Sequence, residues 1–170
     1  SHRIDVLNMD QITFSWQVVS NYDLIMLQRP FTDLASNIIL YAKDMNKPVW
    51  VDYDDNLFVL NPENRAHQVY SNPGVQDTVK NCLKNADAVT VPTEYLKQCY
   101  LAYNRNIHVI PNAFNDDIFR KRELKKREKR VLWRGPDAHI YDLMTYGKEI
   151  NRATKDFPGR AGSRTTWLQS

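Results

Sequence analysis

Short apolar runs recur along this chain, and each turns abruptly polar at its C-terminal end. The plainest case is Ile107-His-Val-Ile-Pro-Asn-Ala-Phe-Asn-Asp-Asp-Ile-Phe119, which reads as a buried strand running into a polar loop. Tyr22-Asp-Leu-Ile-Met-Leu-Gln28, Val49-Trp-Val51, Ala88-Val-Thr-Val91 and Val131-Leu-Trp133 fit the same description. Stretches of helical period lie between them. Alternation of this kind builds βαβ units with right-handed crossovers, and hence an α/β fold with a Rossmann-like parallel sheet and flanking helices. In such sheets, ligands bind where the strands end.

The continuous apolar centre of Tyr22–Gln28 is the pattern of a strand buried on both faces. In the helix that follows, Leu34, Ile38, Tyr41, Ala42 and Met45 share one apolar face. Thr32 is its expected N-cap, and Asp33 suits the positive end of the helix dipole. Residues 53–72 form a long loop rich in Asn, Asp and Pro, and long loops in compact domains are often functional. Pro73 fits the first turn of a second helix whose face is Val75, Val79, Cys82 and Leu83. Thr93 caps a third, with Leu96, Cys99, Tyr100 and Tyr103 on one side. A short helix is expected from about Tyr141 to Ile150. Residues 1–20 and 151–170 carry little periodicity.

A chain of 170 residues suits one domain, or one plus part of a second. Two cysteines are too few for a disulfide framework, which favours a reducing compartment. No apolar run approaches the roughly 20 residues needed to cross a bilayer, and no signal-peptide pattern opens the sequence. A cytoplasmic protein with no transmembrane segment is therefore expected. The net charge of +3 is unevenly placed: Arg120–Arg130 reads RKRELKKREKR and alone carries +6. That run is read as a basic linker or solvated helix, or as a contact for an anionic surface. It contains no aromatic residue on which bases could stack.

Asp52, Asp54 and Asp55 cluster where the second strand ends. Carboxylates this close repel one another, so they need a cation, hydrogen-bond donors or a raised pKa. They are either a site for acid/base or hard-metal chemistry, or the caps of a turn. Arg29, at the end of the first strand, either faces the same edge or pairs with Asp33.

Four segments occur in an order that resembles a known family: Tyr22-Asp-Leu-Ile-Met-Leu-Gln-Arg-Pro30, the Asp52/Asp54/Asp55 cluster, Asn85-Ala-Asp-Ala-Val-Thr-Val-Pro-Thr-Glu-Tyr-Leu96 and Val109-Ile-Pro-Asn-Ala-Phe114. They resemble the N-terminal half of a GT-B-fold glycosyltransferase of the family 4 type. Arg130-Val-Leu-Trp-Arg-Gly-Pro-Asp-Ala-His-Ile-Tyr-Asp-Leu143 is similar to the start of its C-terminal half. The resemblance implies an acceptor-side domain over residues 1–118, a basic linker over 119–130 and an incomplete donor-side domain over 131–170. It implies transfer of a sugar from a nucleotide-sugar to a hydroxyl of a sugar, lipid-linked or protein acceptor, with no cofactor and no metal. Arg134, Gly135 and His139 would lie near the donor diphosphate. A glycine permits close backbone approach there, and an arginine fork suits phosphate oxygens. Arg29, Asp52, Asp54, Asp55 and Asn112 would face the cleft or the acceptor.

Two other readings stay open. Asp52-Tyr-Asp54 after an apolar strand also resembles the first motif of haloacid dehalogenase-like phosphatases, which are magnesium-dependent. In that case Asp52 would be the nucleophile, Asp54 the general acid/base, and Val89-Thr-Val-Pro-Thr93 the second motif. Asn56 stands where that family carries Thr or Val. The third reading is a non-catalytic Rossmann-like binding module, since one sheet hosts many functions.

Overall fold

The computed structural model describes residues 3–8, 19–113 and 140–155. The chain divides into two compact units, Ser1–Phe114 and Asn115–Ser170. The first holds β1 (Ile25–Gln28), α1 (Asp33–Asp44), β2 (Val49–Asp52), α2 (His67–Tyr70), α3 (Pro73–Asn85), β3 (Ala88–Val91), α4 (Glu94–Tyr100) and β4 (Ile107–Val109). The second holds α5 (Ile140–Lys155). The Rossmann-like α/β expectation holds, because the four strands are all parallel and lie in the order β1-β2-β3-β4.

The expected start signals all operate. Thr32 accepts from Ala35 N–H at 3.3 Å, and Thr93 from Leu96 N–H at 3.2 Å. Asn72 accepts from Gly74 N–H at 2.9 Å, with Pro73 in the first turn. Each of these bonds satisfies a donor that the helix itself leaves unpaired. Helix α1 stops because the chain reverses through Asn46, whose φ of 57° is left-handed. The N–H groups of Asn46 and Lys47 close onto the carbonyls of Lys43 and Ala42.

Strand order that follows chain order has a consequence. Successive right-handed crossovers then all fall on one side of the sheet. Accordingly α1 packs against α3, and α4 lies on β3 and β4. One core results, built from Leu27, Val49, Val51, Val89, Val91 and Ile107 of the strands and Ile38, Ile39, Val79, Leu83 and Leu96 of the helices. Each large apolar side chain so removed from water contributes about 1.5–3 kcal/mol.

Four expectations need correction. β1 is not buried on both faces: Met26 is 48% exposed and Leu24 49%. Among the described strands it lies at one edge of the sheet, and the helices stand on the other face. The buried stripe of α1 is Ala35, Ile38, Ile39 and Ala42, because the helix leans on α3 as well as on the strands. Leu34 and Tyr41 are only half-buried, and Met45 lies past the helix end and is exposed. The long loop contains the one-turn helix α2, and α5 starts about where expected but runs past Ile150 to Lys155. Cys82 is fully buried, as expected, while Cys99 is half-buried against the core. Val131–Trp133, the basic run 120–130 and residues 156–170 lie outside the described residues.

Candidate functional site at the carboxyl edge of the sheet

Parallel strands place all their C-terminal ends on one edge. The register carries Gln28 beside Asp52, Asp52 beside Thr90 and Thr90 beside His108. Just beyond β1 and β2, this alignment brings together groups far apart in sequence. Arg29 Nε donates to Asp54 Oδ1 at 2.9 Å, and Nη2 donates to the same oxygen at 2.6 Å. Nη2 also reaches Asp55 Oδ2 at 2.7 Å. The partner of Arg29 is thus the carboxylate pair and not Asp33, whose Oδ1 instead accepts from the Thr78 hydroxyl at 3.1 Å.

Burial of Arg29 opposes its charge, but the hydrogen bond and charge of Asp54, with Asp55 behind them, outweigh it and raise its pKa. The guanidinium is therefore the cation that the adjacent Asp54 and Asp55 carboxylates require. The cluster is solvent-accessible, with Arg29 36%, Asp54 42% and Asp55 59% exposed. Arg29 also holds φ at 48°. A left-handed backbone is uncommon for a large non-glycine residue, and such outliers cluster at functional positions.

Asp52 is handled separately. It projects from the face of β2 opposite the helices, where the Thr90 hydroxyl donates to its Oδ1 at 2.5 Å. Thr90 Oγ1 in turn accepts from Trp50 Nε1 at 2.8 Å. Indole, hydroxyl and carboxylate thus form one chain across β2 and β3. Asp52 and Asp54, read together from sequence, face different partners. Among the described residues, no group of three or more His, Cys, Asp or Glu side chains is placed to share a metal ion.

The loops carrying the cluster are ordered from within. Asn56, Asn61 and Asn64 each accept from the backbone N–H two residues on. Such side-chain turns explain why this segment is rich in asparagine. Below the edge, Phe31 packs on Tyr70, and Phe58 packs on Tyr100 and Tyr103. Asn112 follows β4 on the same edge and is exposed. Arg134, Gly135 and His139 lie outside the described residues.

Sequence reasoning missed the Trp50–Thr90–Asp52 chain and the roles of Tyr53 and Tyr100. For Tyr53 a signal existed: it continues the alternation Val49, Val51, which points it inward. For Thr90 none existed, because its partners depend on the parallel register.

No helix among the described residues is long and apolar enough to cross a membrane. Comparison with protein-family models, curated proteins and solved structures finds no match to this chain.

Proposed function

We propose that the first unit is the acceptor-side domain of a GT-B-type glycosyltransferase, acting on a nucleotide-sugar donor and a hydroxyl-bearing acceptor. The observation that carries this reading is the gathering of Arg29, Asp54 and Asp55 on the carboxyl edge of a parallel sheet, the edge where such folds take ligands. Asn112, at the end of β4, lies along the same edge. Carboxylates beside an arginine offer acceptors and donors in fixed directions, which suits hydroxyl groups on a sugar or on another acceptor. Donor phosphate binding, assigned by resemblance to Arg134, Gly135 and His139, belongs to the same proposal. So does stabilisation of the charge that develops on the leaving diphosphate. A reducing, cytoplasmic setting is part of it too, and both cysteines are free.

The test is thermal stabilisation of the whole chain by nucleoside diphosphates and nucleotide-sugars, with and without magnesium. The expected outcome is a metal-independent rise in Tm for one nucleotide, lost in Arg134→Glu with folding intact. Absence of any shift, together with no sugar transfer in the presence of any donor, would sink the proposal. A response to magnesium alone would favour the phosphatase reading on Asp52 and Asp54.

A further inference from the structure

Something must hold the two loops of the carboxyl edge at the spacing their charges need. The ion cluster is a poor candidate, since solvent-exposed pairs contribute little. Nor would it by itself keep Arg29 left-handed.

Two buried tyrosines are placed to do so. Tyr53 follows β2 directly and is 0% exposed; its hydroxyl donates to the carbonyl of Pro30, next to Arg29, at 2.7 Å. Arg29 N–H donates to Asp52 O at 2.7 Å, so the backbone is gripped on both sides of this residue. Tyr100 ends α4 and is likewise 0% exposed. Its hydroxyl donates to the carbonyl of Asp55 at 2.7 Å and accepts from Leu57 N–H at 3.2 Å. The two rings touch, with centroids 5.4 Å apart and an interplanar angle of 59°. One loop is therefore tied to Tyr53, the other to Tyr100, and the tyrosines to each other.

We infer that Tyr53 and Tyr100 are positioning residues, whose buried hydroxyls fix the separation between Arg29 and the Asp54/Asp55 pair. Phenylalanine would fill the same volumes. It would leave the Pro30 carbonyl, or the Asp55 carbonyl and the Leu57 N–H, without these partners. Burial pushes both phenols well above their ordinary pKa, so each keeps its proton to donate. The inference stands on this geometry whatever ligand the edge takes.

The test uses the full 170-residue chain labelled with ¹⁵N, and follows exchange of the Arg29 Nε–H with solvent by NMR. The resonance is assigned by its loss in Arg29→Lys. Tyr53→Phe and Tyr100→Phe should each accelerate exchange about fivefold or more, the equivalent of one net hydrogen bond. The backbone amide spectrum should stay folded. Tyr103→Phe keeps the ring that packs on Phe58 and removes a hydroxyl with no hydrogen bond to either loop, so it should leave the exchange unchanged. Unchanged exchange in both hydroxyl deletions, or equal acceleration in Tyr103→Phe, overturns the inference. Should a deletion unfold the chain, the unaltered protein decides. Slowly exchanging Tyr53 and Tyr100 hydroxyl protons support the tethers, and hydroxyls averaged with water refute them.

Discussion

Val49 and Val51 face the helices and are sealed from water, while Trp50 and Asp52, one position along the same strand, face away and are half-buried. In β3 Val89 and Val91 point inward, and Thr90 on the other face is also buried, bonded to Trp50 and Asp52; in β4 Ile107 is buried and His108 exposed. The inner face is all hydrocarbon and holds the domain together. The outer face carries Met26, Trp50, Asp52, Thr90 and His108, in an apolar row and a polar row set by the register. A single alternation thus produces a cohesive side and a chemically varied side.

Substitutions at equivalent positions on the two faces should expose this asymmetry. The largest effect is expected from Val51→Asp, which buries an unpaired carboxylate and should destabilise by about 3–5 kcal/mol, read from urea unfolding. Alkaline titration comes next. The buried Cys82 thiol is raised from 9.0 to about 12 by loss of solvation, against a smaller opposing interaction with Tyr53. Its contribution is complete below pH 9 and lost as pH rises toward 12, because the unfolded chain deprotonates first. Tyr53 and Tyr100 act in the same direction from 10.0 upward. Urea midpoints should therefore fall above pH 9, less steeply in Cys82→Ala and equally steeply in His108→Ala. Thr93→Ala, which removes the cap of α4, should cost about 1 kcal/mol by the same assay. The smallest effect is Met26→Asp, expected within about 0.5 kcal/mol of the parent. A loss comparable to that of Val51→Asp would mean that the outer face is as tightly packed as the inner one.

Features set by neighbours in sequence could be read from the chain directly. Thr32, Pro73 and Thr93 announce helix starts through chemistry confined to one turn, and the structure uses each of them. Features set by packing between elements were less visible. Ala35 and Ile39 were left off the face of α1 because the sequence does not say that α3 lies beside it. The site divides along the same line. The Asp54/Asp55 pair and Arg29 were recognised as candidates, but their pairing spans 25 and 26 residues and depends on β1 lying parallel beside β2. Asp33, four residues from Arg29, was the nearer partner in sequence, and Thr78 takes it instead.

Strand order that matches chain order also bears on how the domain forms. Among the described strands, each after β1 pairs with its nearest predecessor, so none of these pairings waits for a later strand. Contacts of short sequence separation cost less loop-closure entropy and go with faster folding. A nascent chain can therefore add β2 to β1, then β3 and β4, in the order in which they leave the ribosome, each new strand docking on an edge that already exists.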